Sequence, residues 1–370
     1  MPETITESQP VYRSFRPGVD EPRQLVIIGA TGELGRCVLR AALQLENGDN
    51  HTTVAGDDPK SHSTRLVYFR SIWATYHHTP PSQLRLPQTH SIPELHWVQL
   101  DTADRQAVAA LLAPLQNSDA FATVVYCAAP KHGGAAGQGG PRIRRGLVDD
   151  VVAAGRASNA SPHRCRFIAI STDQVFDGVP PHAPYCTTSA TRPTNPYARY
   201  KVEMEDALKA LRHPDLVIAR TSLILSLGES PEEDGKAIAF LRDALTYDHP
   251  SPVTLFVDEP RNMSWAEDLG AALVEMALGV KRMGECVDAT VPTVVHLTCA
   301  QTANRYQLAQ LLARHVWNVS AETVARRVQP GLSSESGLQR PLDLTLEVSS
   351  MWETGLVSRT RLRSIEERFK

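Results

Sequence analysis

The chain predicts an α/β fold, a Rossmann-like doubly wound parallel sheet with a smaller C-terminal substrate lobe. Three observations carry this. Short β-branched apolar runs alternate with amphipathic helical stretches through residues 24–222. The first run leads straight into a glycine turn and then a helix. Beyond about residue 222 the alternation loosens into short strands mixed with helices, which places a lobe at the carboxyl edge of the sheet, where such folds bind ligands.

Residues 1–23 are polar and proline-punctuated and read as a flexible arm. Gln24–Ile28 is a buried parallel strand, followed by GATGELG (29–35) and by Val38, Leu39, Ala42 and Leu43 at helical spacing. Residues 46–95 read largely as an inserted loop that hides one strand, either Thr52–Ala55 or Leu66–Phe69. His96–Leu100 is a strand; Asp101 and Thr102 can cap the helix whose apolar face is Val108, Leu111, Leu112 and Leu115. Thr123–Cys127 is a strand that runs into a glycine-rich segment. A helix (Leu147–Ala157), a strand (Arg166–Ile170), a helix from Pro196 to about Leu211 and a strand (Leu216–Ala219) complete the nucleotide-binding domain, 24–222. Residues 223–370 form mainly the substrate lobe, with strands at Thr254–Val257 and Val294–Leu297 and helices at Ala266–Leu278 and Asn304–His315.

Length and composition narrow the function classes. At roughly 150 residues per domain, 370 residues allow two or three domains or one large domain with a lobe. Hydrophobic content of 42% and charged content of 21% exclude wholesale disorder, collagen and coiled coil. With 38 basic against 41 acidic residues, no basic excess points to nucleic acid or an anionic membrane. Six scattered cysteines without a C-x-x-C pair read as reduced thiols. MPETITESQP lacks a secretory n- and h-region, and no run of 18 apolar residues exists, so the expectation is a cytoplasmic protein. His77, His78 and His90 lack metal-ligand spacing, and no metal is expected.

Gly29, Gly32 and Gly35 open a helix directly after a strand. Bare backbone there can approach a pyrophosphate, and the helix N-terminus offers it free N–H groups. The contacts expected for a nicotinamide dinucleotide are Gly29, Thr31, Gly32, Glu33, Leu34 and Gly35 in the turn, Asp101 at the adenine edge with Thr102 beside it, Cys127 and Ser171 at later strand ends, and Lys201 on a helix. If Thr52–Ala55 is the second strand, Asp57 reads the ribose and NAD(H) is implied; if Leu66–Phe69 is, Arg70 sits there and NADP(H) is implied. The latter run is the better strand by composition and favours NADP(H).

Tyr197 and Lys201 share one face of a helix at i and i+4. A lysine there can depress the phenol pKa and grip a ribose; the tyrosine can pass a proton to a carbonyl oxygen, and Thr172 at a strand end can bond the same oxygen. Trp265 could line a pocket or seat in the core, and Arg340 could meet a nucleotide phosphate or cap a surface turn.

GATGELG, CAAP (127–130), ISTDQVFDG (170–178), NPYARYK (195–201), ARTSLIL (219–225), WAEDL (265–269), RYQLAQLLAR (305–314) and QRPLDLTLEVS (339–349) together resemble the extended short-chain dehydrogenase/reductases. Within them the chain is most similar to the group containing dTDP-4-dehydrorhamnose reductase and the regulatory β subunit of methionine adenosyltransferase. The resemblance implies Thr172, Tyr197 and Lys201 as catalytic residues, NADPH as cofactor with Gly29, Gly32, Gly35, Asp101, Ala128, Ala129 and Lys201 touching it, and a 4-keto-6-deoxy nucleotide sugar reduced at a pocket that includes Asp173, Gln174, Trp265 and Arg340. It also admits an NADP-binding regulatory partner of methionine adenosyltransferase, a nucleotide-sugar epimerase or dehydratase, and a homodimer. Gln174 stands where the group carries an aromatic, Arg144 lies near the place of a missing helix-bending Asn, and DEPRNMS (258–264) lacks the usual glycine.

Overall fold

The structure is a computed structural model that describes residues 21–44, 52–55, 64–86, 93–116, 120–129, 147–158, 165–213, 215–279, 293–337, 340–357 and 360–370. The arm over residues 1–20, Asp57, His90, Arg144 and the glycine-rich segment after Ala129 lie outside the described residues.

β1 (Glu21–Ile28) runs through the middle of the main sheet. Its side chains alternate between faces. Leu25 and Ile27 enter one core with Val38 and Leu39 of α1 (Glu33–Gln44), while Val26 and Ile28 enter the opposite core. A strand buried on both faces reads as an unbroken apolar run. β2 (Thr52–Ala55) lies antiparallel to the first part of β3 (Thr64–Tyr76), whose last part lies parallel to β1 and to β4 (Glu94–Gln99). There follow α2 (Arg105–Gln116), β5 (Phe121–Tyr126), α3 (Leu147–Ser158), β6 (Cys165–Thr172), α4 (Pro196–Ala210) and β7 (Leu216–Thr221). β8 (Leu223–Leu225), α5 (Lys236–Thr246), β9 (Val253–Phe256) and β10 (Arg261–Trp265) leave the sheet, and α6 (Ala266–Leu278) and β11 (Thr293–His296) return to it. β12 (Thr302–Ala303), α7 (Arg305–His315), α8 (Ala321–Arg327), β13 (Val328–Gly331), α9 (Ser349–Glu353) and α10 (Ile365–Arg368) complete the described elements.

The main sheet has the order β11-β7-β6-β5-β1-β3, with β4 and β2 both on β3, and every pair except β2–β3 is parallel. The order reverses between β1 and β5, so the crevice at their carboxyl ends is the topological switch point. Residues of α1 and α6 join the core on one face, and residues of α2, α3 and α4 the core on the other. The lobe has its own core, in which Leu225, Ile238, Leu241, Met263, Trp265, Leu308 and Leu312 meet around two small sheets. Among the described residues no helix is long and apolar enough to cross a membrane.

Three readings of the sequence change. Residues 21–23 belong to β1 rather than to an arm. Both candidate strands in the insertion exist, but Leu66–Phe69 is only the first part of β3, which continues to Tyr76. A β-bulge hides this continuity. Arg23 pairs with Phe69 and Gln24 with Ser71, so Arg70 is the extra residue. Ser71 and Thr75, both buried, also interrupt the apolar pattern beyond it. Third, the cap of α2 is Asp104, whose Oδ1 accepts the N–H groups of Gln106 and Ala107 at 3.0 Å each.

α1 and α6 pack closely because Gly270 has no Cβ. A Cβ there would lie 2.6 Å from the backbone carbonyl of Cys37. Overpacking costs about 1–3 kcal/mol, against about 1 kcal/mol gained by replacing a helical glycine with alanine. Gly270→Ala is expected to lower the thermal midpoint, and a midpoint equal to wild type would show that the two helices can separate freely.

Candidate active site

The glycine turn is built by contacts that only glycine permits. Gly29 has φ +87°, and a Cβ on it would meet the Ala128 backbone nitrogen at 2.9 Å. A Cβ on Gly35 would lie 2.2 Å from the Gly29 carbonyl oxygen. Thr75 closes the turn from β3: its hydroxyl accepts the Gly29 N–H at 3.0 Å and its carbonyl the Ala30 N–H at 2.8 Å. The Gly32 N–H bonds the Gly29 carbonyl at 3.1 Å. The next N–H groups, of Glu33, Leu34 and Gly35, have no acceptor among the described residues. This donor set at a helix N-terminus, with the switch-point crevice in front of it, fits a dinucleotide pyrophosphate. Leu34 contributes backbone only, since its side chain is buried in the core. The Glu33 carboxylate turns toward the start of α5 at Gly235, and burial pushes its carboxyl up, opposed by Arg36 and by Lys236 with its backbone N–H. Thr31 is half-buried, and Gly32 and Ala129 are exposed.

Cys127 lies between the turn and α4. Its N–H donates to the Ile28 carbonyl at 2.9 Å, and its sulfur lies in the field of Lys201. Burial pushes this thiol up to about 12.

Asn195 starts α4, accepting the Ala198 N–H at 2.9 Å, and Pro196 follows it. The same side chain donates to Gln174 Oε1 at 3.0 Å, so Gln174 braces the start of α4. Lys201 is buried at 3% exposure and donates from Nζ to the Ile170 carbonyl at 2.7 Å. Its Nζ lies 6.0 Å from the Tyr197 ring centroid and 5.4 Å from that of Tyr200. Burial lowers Lys201 to about 8, against the pull of Glu205 and Cys127. Tyr197 is pushed up, first by burial and then by the charge of Asp173. The expectation that Lys201 lowers the phenol is therefore corrected: the ammonium is held on Ile170, and Tyr197 stays protonated.

Thr172 ends β6 as the cap of a single 3₁₀ turn. Its hydroxyl donates to Asp173 Oδ1 at 3.0 Å and accepts the Gln174 N–H at 3.3 Å. Asp173 is 2% exposed and also accepts from Ser222 Oγ at 2.7 Å and from Arg261 at 2.9 Å. The Ser171 hydroxyl turns the other way, donating to Glu205 Oε1 at 2.6 Å, so it is not available to a cofactor.

A family defined by the RmlD substrate binding domain matches residues 23–368. The chain belongs to that family. Its neighbours in fold are extended short-chain dehydrogenase/reductases. A dTDP-4-dehydrorhamnose reductase from Mycolicibacterium smegmatis is 26% identical over 221 residues, 60% of each chain, so the match spans about 60% of that relative's length. A solved dTDP-4-dehydrorhamnose reductase from Clostridium acetobutylicum is 18% identical with a TM-score of 0.58, covering 94% of this chain and 98% of that one. One from Bacillus anthracis, in complex with NADP, is 16% identical at 0.57, covering 94% and 98%. A dTDP-glucose 4,6-dehydratase from Streptomyces venezuelae with NAD bound is 16% identical at 0.62, covering 94% of both chains.

In this member of the RmlD family the remaining expected residues fall differently. Arg70 is exposed at the bulge, six residues short of Tyr76 or about 20 Å along the strand, and cannot reach the turn. Asp101 is exposed after β4 and accepts its own Ala103 N–H at 2.9 Å; Thr102 beside it is half-buried. Trp265 is a core residue at 1% exposure, with Arg368 over its ring at 4.5 Å, and does not line a pocket. Arg340 is neither a surface turn nor free: it grips Glu259 through two bonds of 2.6 and 2.9 Å, and Ser333 Oγ shares that carboxylate at 2.6 Å.

One residue escaped the sequence reading. Arg305, the first residue of α7, makes no hydrogen bond or ion pair among the described residues and lies 5.9 Å over the Phe240 ring. Burial lowers its pKa, helped by the neighbouring charges of Arg340 and Arg261 and resisted by Glu259. Arg340 and Arg261 are matched by Glu259 and Asp173; Arg305 is the unmatched cation of the group. Its only signal in the sequence is an arginine at a helix start, where the dipole disfavours it.

Lys201 carries a stability cost. Below pH 8 it is charged in both folded and unfolded chains. Between about 8 and 10.5 the unfolded chain binds more protons, so stability rises with pH in that window. Lys201→Met is expected to be more stable than wild type at pH 7 by about 1–3 kcal/mol, with the gain shrinking toward pH 10.5. Denaturant unfolding at pH 7 and 10 checks this; a gain that does not shrink would mean the ammonium is not the cause.

Proposed function

We propose that the protein is an NADP(H)-dependent reductase of a 4-keto-6-deoxy nucleotide sugar, like dTDP-4-dehydrorhamnose reductase. The observation that carries the reading is the convergence of Thr172, a protonated Tyr197 and a buried Lys201 at the strand ends beside a glycine turn with unsatisfied N–H donors.

The bound nicotinamide supplies the hydride that a carbonyl carbon accepts. The chain's own groups do the rest. The N–H groups of Glu33, Leu34 and Gly35 hold the pyrophosphate, and the bare backbone of Gly29 and Ala128 lets it come close. Asp101 faces the adenine. Lys201 donates to the Ile170 carbonyl and, weakly, to the Met204 sulfur, and turns its remaining donor to the ribose hydroxyls. Tyr197, kept protonated by burial and by Asp173, gives its proton to the carbonyl oxygen as that oxygen gains charge. The Thr172 hydroxyl, held in place by Asp173 and the Gln174 N–H, rotates to bond the same oxygen. Arg305, a cation without a carboxylate beside this site, meets the diphosphate of the substrate.

Oxidation of NADPH, followed at its near-ultraviolet absorbance with a dTDP- or UDP-4-keto-6-deoxy sugar, tests the reading. Wild type is expected to turn over and Tyr197→Phe to lose roughly 10²–10⁴-fold in kcat, the usual worth of a positioned proton donor. NADPH bound without turnover of either sugar would rule the reductase out. Arg305→Gln is expected to raise KM for the sugar nucleotide about tenfold or more, as for loss of one charge-assisted bond, with NADPH affinity unchanged. An unaltered KM would remove Arg305 from the substrate site.

A further inference from the structure

His77 and His78 directly follow β3, at the place where a dinucleotide fold tells its two nicotinamide cofactors apart. The residue that reads the adenosine ribose sits at the carboxyl end of the second parallel strand, next to the glycine turn. β3 is that strand, because Thr75 holds Gly29 and Ala30 from it. Its end is firmly placed: the Tyr76 carbonyl accepts the Leu100 N–H at 2.8 Å and the His77 carbonyl accepts Gln99 Nε2 at 3.2 Å. Neither the acid that would favour a ribose hydroxyl nor the arginine that would favour a 2′-phosphate follows Tyr76. Two exposed imidazoles do, with ring centroids 3.7 Å apart. Neither ring has a hydrogen-bond or ion-pair partner among the described residues.

The charged groups on the surrounding elements are engaged elsewhere. On α1, Arg36 binds Ser226 and the Glu233 carbonyl, Arg40 binds the Arg85 carbonyl, and Glu33 faces α5. Arg85, in the segment after the histidines, pairs with Glu229. On β4, Glu94 pairs with His96, and beyond the strand Asp101 accepts the Ala103 N–H and Asp104 caps α2. The two histidines are left to meet an anion arriving at the ribose.

We propose that His77 and His78 read the ribose 2′-phosphate, so that this chain selects NADP(H) over NAD(H) with imidazole N–H donors instead of arginine.

The inference rests on the dinucleotide site of the proposed reductase, and the test separates the two. The full chain is titrated calorimetrically with NADPH and with NADH, as wild type and as the double variant His77→Ala, His78→Ala. Wild type is expected to prefer NADPH at least about tenfold, the worth of a hydrogen bond to a charged group. In the variant that preference is expected to be lost, while NADH affinity stays at the wild-type value and shows that the variant is folded. No preference in wild type, or one the variant keeps, overturns the inference alone. If wild type binds neither nucleotide, the dinucleotide site itself is wrong and the inference falls with it.

Discussion

The buried ion pair between Glu205 and Arg220 holds α4, the helix that carries Tyr197 and Lys201, in place. Arg220 on β7 donates to both oxygens of Glu205 on α4, at 3.0 and 2.7 Å, and both side chains are 2% exposed or less. The same carboxylate accepts Ser171 on β6 and Lys209 one turn further along α4. Burial alone would push the Glu205 carboxyl up; Arg220, with Ser171 and Lys209, carries it below the ordinary range. Arg220 also donates to the Thr187 carbonyl and lies over the Phe176 ring at 5.2 Å. Taking two charges out of water is costly and adds little net stability when they are paired, but removing one partner costs about 3–5 kcal/mol because the other stays buried. The pair therefore acts as a register pin between α4, β6 and β7. Tyr197 and Lys201 project from the helix it pins.

Around that pin the site is a set of matched charges with selected exceptions. Asp173 gathers Thr172, Ser222 and Arg261, while Glu259 gathers Ser333 and Arg340. Asp173 ties the strand end of β6 to the lobe through Arg261, while Glu259 and Arg340 join two segments within the lobe. The segment around Leu344 and Leu346 packs with Val175, Phe176 and Tyr185, so the C-terminal part of the chain presses on the loop that carries Thr172. The proposed ligand sites use groups without a partner among the described residues: the N–H groups that open α1, the Arg305 guanidinium and the two imidazoles after β3. Burial and the charge of Asp173 raise the Tyr197 phenol, while Lys201 is held on the Ile170 carbonyl.

Much of this was legible in the residues. The turn at Gly29, Gly32 and Gly35 is local chemistry: a strand, a glycine where φ is positive, and glycines where a Cβ would strike backbone. Tyr197 and Lys201 share a face by helical spacing, and Asn195-Pro196 marks the helix start. These features depend on residues a few positions apart, so their spacing encodes them. The doubly wound parallel sheet followed from alternation, since each parallel pair needs a crossover connection.

What escaped depends on long-range register and on burial. β3 continues past the bulge at Arg70 to Tyr76, so His77 and His78, not an arginine, follow the strand end next to the turn. Trp265 went to the lobe core and Arg340 to Glu259 because the packing of distant segments left those places for them. Lys201 met the Ile170 carbonyl, 31 residues away, rather than the phenol one turn before it. The sequence by itself determined the strand–turn–helix unit and the pairing of tyrosine with lysine, because backbone geometry enforces both locally. Only the tertiary structure decided which charges are matched and which face the crevice, because partners in a low-dielectric interior are chosen by packing across the whole chain.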